Sequence, residues 1–174
     1  MKTNIILVGM PASGKTTIGI LLAEKLHDYT LIDTDSVIEK VQGMKIYEIF
    51  DKFSEDYFRK LEHDAIQTIC SSGDKKIISI GGGAFENPDN RAALLKFGTT
   101  FYLKSDIDIL YYRISKDKTR PLLQNENPKQ VLINLLQKRE DNFKKAHYTI
   151  DTSQTDTEEI VRFILNASSI KSSN

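Results

Sequence analysis

The sequence has one cysteine, Cys70. That excludes a disulfide within the chain and fits a reducing, cytoplasmic setting. It has no excess of either charge, because 24 Lys and Arg balance 24 Asp and Glu. A nucleic-acid binder carries a basic excess or stripe, and neither is present. It has no apolar run near the roughly 20 residues that cross a bilayer. Its opening, MKTNIILVGM, runs straight into a glycine loop with no small-residue cleavage site, so it does not read as a signal peptide. Its three histidines, His27, His63 and His147, show no metal-ligand spacing. Cys70, in IQTIC, reads as a small buried hydrophobe.

What remains is an ordinary globular composition. The 174 residues are 40% hydrophobic and 28% charged, enough for one domain with its own core. Short apolar runs alternate with longer helical patterns. NIILV (4–8), LIDTD (31–35), KKIISI (75–80), TTFYLK (99–104) and YTIDT (148–152) read as strands. Helices are predicted over 16–26, 36–51, 54–72, 88–96, 106–115, 129–146 and 156–168. The alternation implies βαβ units and a five-stranded parallel sheet covered on both faces. No repeat and no linker divides the chain. The stretch KDKTRPLLQNENPK (116–129) is polar and non-periodic and reads as a mobile loop, and 171–174 as a frayed tail.

The most informative stretch is GMPASGKTT (9–17), which matches G-x-x-x-x-G-K-[ST] between a strand and a helix. Gly9 and Gly14 let backbone N–H groups turn toward an anion, with Ala12, Ser13 and Thr17 completing the loop. The following helix adds its positive end. Lys15 would reach the β- and γ-phosphates of a nucleotide, and Thr16 would ligate Mg²⁺. The bland alternative is a glycine-rich turn with an incidental lysine.

Four further features bear on where the phosphate goes. In DTD, Asp33 and Asp35 lie where a parallel sheet binds ligands. Strand alternation would point both the same way, one toward Mg²⁺ and one toward an attacking hydroxyl. The strand IISI ends in Gly81 rather than an aspartate, which moves the magnesium role toward Asp33. Helix capping by Asp35 or Ser36 is the competing reading. Arg59 and Glu62 share a helix face, either as a surface ion pair or as an anion fork with its support. The glycines 81–83 leave bare backbone for a ligand or for a tight turn. Arg120 could close over the transferring phosphate, and Arg139 could be a second anion clamp, or both could simply be solvated. Ile46, Phe50 and Phe58 are expected to face the core, with one or two walling a pocket.

The set resembles shikimate kinase along nearly the whole chain. The resemblance rests on GMPASGKTTIG, LIDTD, IYEIF, SEDYFRKLE, IISIGGGA, RPLL and the arginine of LLQKREDNF, in the family's order. It implies a three-layer αβα P-loop kinase fold of the nucleoside-monophosphate-kinase type over 1–170. A substrate-binding region would span about 36–62 and a lid about 116–129. It implies a monomer that uses ATP and Mg²⁺ to phosphorylate the 3-hydroxyl of shikimate, with no nucleic-acid or membrane partner. By position, Asp35 would contact the acceptor hydroxyls and act as base. Arg59 and Arg139 would bind the acceptor carboxylate, and Glu62 would hold Arg59. Gly82 and Gly83 would offer backbone contacts. Arg120 would sit near the transferring phosphate with Lys15, and Arg113 near the adenine. Ala12, Ser54 and Phe143 depart from the family's common glycine, glycine and tyrosine. Since Ala12 stays small, little effect is expected from it. A gluconate or nucleoside-monophosphate kinase, or a non-catalytic nucleotide-binding module, are the rival readings. A nucleotide acceptor would need a base pocket and a phosphate-binding arginine cluster, which the sequence does not offer.

Overall fold

A computed structural model describes residues 4–73, 75–116 and 127–168. Arg120 and most of the expected lid lie outside the described residues. Five strands form a parallel sheet in the order β2-β3-β1-β4-β5. They are β1 (Asn4–Val8), β2 (Thr30–Asp33), β3 (Lys76–Ser79), β4 (Gly98–Lys104) and β5 (Tyr148–Asp151). Helices α1 (Lys15–Lys25), α2 (Thr34–Gln42), α3 (Ile46–Lys52) and α4 (Glu55–Ser71) lie in the first half. A 3₁₀ turn (Ala84–Glu86) follows β3, and α5 (Pro88–Phe97), α6 (Ile107–Ser115), α7 (Pro128–Phe143) and α8 (Thr157–Ala167) complete the chain.

The central strand explains the layering. All five residues of β1 are buried, as expected for a parallel strand covered on both faces. Side chains alternate, so Ile5 and Leu7 join one cluster with Leu22, Phe101 and Ile164, which packs α1 and α8 on that face. Ile6 and Val8 join the other, with Ile66, Phe85, Leu110 and Phe143. A third, small cluster of Ile38, Ile49 and Phe58 holds α2, α3 and α4 together. Chain crossovers go opposite ways on either side of β1, so the loop after it opens at a topological switch point, where ligands bind. Among the described residues, no helix is long and apolar enough to cross a membrane.

Three expectations are corrected here. The single helix over 36–51 is two, α2 and α3. Gly43 closes α2 with φ of 63°, the left-handed cap that favours glycine. Glu48 then starts α3 by accepting from the Lys45 N–H at 2.7 Å. Second, β2 ends at Asp33, so Asp35 belongs to the first turn of α2 rather than to a strand. Asp33 is the helix cap, accepting from the Ser36 N–H at 3.1 Å. The capping that was the competing reading for Asp35 or Ser36 therefore falls on Asp33. Phe50 also departs from expectation. It is 39% exposed, with its ring 4.8 Å from that of buried Phe58.

Candidate active site

A cleft of about 650 Å³ runs along the C-terminal ends of the strands. Its floor is the loop after β1. Gly9 has φ of 149°, and Gly14 has φ of 97° at the N-cap of α1. No side chain caps α1 and its first turn carries no acid. The helix therefore presents backbone N–H donors and positive potential to the cleft. A side chain on Gly9 would collide with the Leu103 carbonyl at 2.7 Å, so that position admits only glycine. The Lys15 ammonium donates to the Gly9 and Met10 carbonyls at 3.0 and 2.9 Å. Ala12, Ser13, Gly14, Thr16 and Thr17 line the cleft beside it.

Ala12 shows what size alone missed. Its φ is 64°, a left-handed conformation that costs a non-glycine residue about 1–2 kcal/mol. Arg113 donates to the Ala12 carbonyl at 3.1 Å and lines the same cleft. The β5–α8 connection closes this end through Thr152, Thr155 and Asp156. Sequence reading passed over those three, since a polar loop carries no motif.

Asp33 and Asp35 both line the cleft, although not by strand alternation. What brings them together is the junction of β2 and α2. Thr34, between them, is buried and accepts from the Gly81 N–H at 2.9 Å, which ties this junction to the end of β3.

The glycine triplet is a set of three clearances. A Cβ on Gly81 would lie 2.5 Å from Asp35 Oδ1 and 3.0 Å from Glu62 Oε1. One on Gly82 would lie 3.2 Å from Pro11 and 3.4 Å from Arg139 Nη1, and one on Gly83 would land on the Arg59 guanidinium. The triplet thus lets an acid and two arginines converge on one strip of backbone. The sequence offered all three as bare backbone for a ligand or a turn, not as clearance for side chains.

Arg59 and Glu62 are not a surface pair. Arg59 Nη1 donates to Glu62 at 2.5 Å, and the Glu62 side chain is 2% exposed. Burial pushes the Glu62 carboxyl above its ordinary value, outweighing the attraction of Arg59, with the Asp35 charge adding to the rise. For Arg59 burial acts downward, but attraction and hydrogen bonds from Glu62 and Glu55 outweigh it and hold the guanidinium above its ordinary value. Arg139 is likewise a buried residue rather than a solvated one, donating Nε to Glu86 at 2.8 Å. Glu86 is a further residue the sequence did not reveal, because its partner is far away in the chain. A second hollow of about 140 Å³ adjoins here, lined by Arg59, Glu62, Gly83, Glu86 and Lys138 among others.

A family model described as shikimate kinase matches residues 11–169. The chain belongs to the shikimate kinase family. A relative with that name from Caldanaerobacter subterraneus subsp. tengcongensis is 42% identical over 164 residues, covering 94% of this chain and 95% of that one. One from Thermodesulfovibrio yellowstonii is 40% identical, covering 93% and 92%. Among solved structures, shikimate kinase from Acinetobacter baumannii in complex with shikimate superposes with a TM-score of 0.88 at 38% identity, covering 95% of this chain and 92% of that one. A gluconokinase from Sinorhizobium meliloti matches at 17% identity with a TM-score of 0.64, which is a likeness of fold alone. The chain is a P-loop kinase of the shikimate kinase family.

The other residues outside the chemistry find structural roles. His147 Nδ1 accepts from the Thr100 N–H at 3.1 Å, and His63 pairs with Asn90 at 2.7 Å. Burial pushes the Cys70 thiol up to about 11, which keeps it in the thiol form near neutral pH. Ser54 caps α4, accepting from the Tyr57 N–H at 3.2 Å. Phe143 is fully buried and stacks on Tyr102 at 5.0 Å, a place without need of a hydroxyl.

Proposed function

We propose that this chain transfers the γ-phosphate of ATP to the 3-hydroxyl of shikimate, giving ADP and shikimate 3-phosphate. The observation that carries this reading is the convergence of Asp35, Arg59 and Arg139 on the glycine triplet, beside the phosphate loop. An acceptor with one carboxylate and several hydroxyls satisfies that arrangement.

The phosphates lie on the backbone of residues 9–14 and the N-terminus of α1. Lys15 turns from its loop carbonyls to the β- and γ-phosphates, where its charge stabilises the transferring group. Arg113 and the β5–α8 connection border the nucleotide's other end. Thr16 and Asp33 suit Mg²⁺, which neutralises phosphate charge when bound. Both line the cleft. Among the described residues there is no cluster of three or more acidic, histidine or cysteine side chains to cage an ion. Such a sparse donor set fits Mg²⁺, which keeps waters and phosphate oxygens as most of its ligands. Arg59 and Arg139 fork the acceptor carboxylate, and Glu62 fixes Arg59. Asp35 receives the hydroxyl proton as the oxygen attacks phosphorus in line. Arg120, from the lid, neutralises charge at the transferring phosphate. The enzyme acts as a cytoplasmic monomer, with no nucleic-acid or membrane partner.

An ADP-release assay with Mg-ATP tests this against shikimate, quinate, gluconate and nucleoside monophosphates. Turnover is expected with shikimate alone. Preferred turnover of gluconate or a nucleotide would overturn the acceptor, and ATP binding without turnover on any acceptor would overturn the catalytic reading.

A further inference from the structure

Both arginines at the acceptor end have their Nε–H engaged by a glutamate. Arg59 donates Nε and Nη2 to Glu55 at 3.2 and 2.8 Å. Arg139 donates Nε to Glu86 at 2.8 Å. A guanidinium offers a carboxylate two forks, one side-on through Nε and one Nη, the other end-on through both Nη. On Arg139, holding Nε leaves the end-on fork, whereas Arg59 also commits Nη2 to Glu55 and Nη1 to Glu62. On Arg139, Nη1 is the atom that approaches Gly82.

The two glutamates are placed differently. Glu55 is one turn before Arg59 on the same helix, with its side chain 64% exposed. Glu86 comes from the turn after the glycine triplet, 53 residues from Arg139, and its side chain is 20% exposed. That turn is braced. The Glu86 N–H donates to the Gly83 carbonyl at 3.1 Å. Arg91 Nη1 donates to the Phe85 and Glu86 carbonyls at 2.9 and 3.1 Å. Phe85 is fully buried. The second Glu86 oxygen lies 3.4 Å from the Lys138 ammonium. One short stretch therefore supplies the clearance for Arg139 at Gly82 and its orientation at Glu86.

We propose that Glu86 is a positioning residue for acceptor recognition: it holds Arg139 by Nε so that the guanidinium meets the acceptor carboxylate end-on. The proposal rests on the reading that Arg139 binds that carboxylate. A purely structural strut between the turn and α7 would make the same contact, but it would not distinguish a charged acceptor from its neutral ester.

The test measures KM for shikimate, shikimate methyl ester and Mg-ATP in the full chain and in Glu86→Leu, Glu86→Gln and Arg139→Ala. Glu86→Leu is expected to raise the shikimate KM about tenfold, as loss of a charge-assisted hydrogen bond does. The ester and Mg-ATP values should stay within about twofold, beneath what one lost hydrogen bond produces. Glu86→Gln, which keeps an oxygen acceptor, should give a smaller rise for shikimate alone. Should Glu86→Leu not fold, the shikimate-to-ester KM ratio of Glu86→Gln decides: a raised ratio supports the proposal and an unchanged one overturns it. Acid and ester shifting together in the Glu86 variants would overturn it in favour of a strut. An unchanged shikimate KM in Glu86→Leu would overturn it while Arg139→Ala still raises that KM. If Arg139→Ala itself leaves the shikimate KM unchanged, the clamp reading fails, and the proposal with it.

Discussion

The nucleotide and acceptor ends proposed for the site are built from different material. The nucleotide end is mostly backbone: two glycines at positive φ, an uncapped helix N-terminus and one lysine. The acceptor end is mostly side chains: Asp35, Arg59, Glu62, Glu86 and Arg139, brought together by glycines that contribute only their lack of a Cβ. Backbone donors recognise any phosphate chain, which is why the same loop serves kinases with unrelated acceptors. Charged side chains at fixed positions recognise one acceptor chemistry. On the proposed reading, affinity for the nucleotide is generic and affinity for the acceptor particular, so substitutions at the two ends should separate KM for Mg-ATP from KM for shikimate.

The largest expected effect is at the point where the two ends meet. Asp35→Asn should lower kcat by about 10²–10⁴-fold, the range for loss of a general base, while ATP binding is kept. Near-normal turnover would remove Asp35 from that role. Next, Gly83→Ala would set a methyl against the Arg59 guanidinium. It should raise the shikimate KM roughly tenfold or more through misplacement of the fork, with Mg-ATP little affected. A parallel rise for both substrates would blur the division between the two ends.

A smaller effect concerns pH. Because burial raises the Glu62 carboxyl above 4.5, the folded chain binds that proton more tightly than the unfolded chain. The associated stability is present below about 4.5 and fades as pH rises through the raised folded value. The stability of wild type relative to Glu62→Gln should therefore fall as pH rises from 4.5 toward neutrality, measured by denaturant unfolding at several pH values. A difference that grows with pH would contradict a Glu62 carboxyl raised by burial. The smallest effect belongs to the nucleotide end. Ala12→Gly relieves a left-handed alanine but frees the unfolded chain, two opposing terms of about 1 kcal/mol each. Thermal unfolding should shift by only a few degrees, with kcat unchanged. A large loss of activity would mean that the Ala12 methyl does more than fit.

The same division governs what the sequence reveals. Strand patterning placed all five strands, most plainly the buried runs of β1 and β3, whereas β5 has a single buried residue, Ile150. The phosphate loop is legible because its contacts are local in sequence. Gly43 was legible in principle as a helix cap, yet the continuous pattern on both sides hid the break. The acceptor end is less legible because it depends on distant pairs. Arg59 and Glu62 are three apart and could be paired on paper. Arg139 and Glu86 are 53 apart, and nothing in either local stretch announces the other. The glycine triplet reads in sequence as bare backbone for a ligand or a tight turn, and in the fold it is also clearance for Asp35, Glu62, Arg139 and Arg59. Asp35 was placed correctly in the cleft for a reason that fails, since helix α2, not strand alternation, directs it there.

The most direct test of this account is Arg59→Ala, with KM for shikimate and for Mg-ATP determined in the same assay. The account predicts a rise of about thirtyfold or more for shikimate, the scale of losing a charge-assisted fork, and an essentially unchanged value for Mg-ATP. An equal rise in both, or none for shikimate, would contradict the claim that side chains at this end recognise the acceptor independently of the phosphate loop.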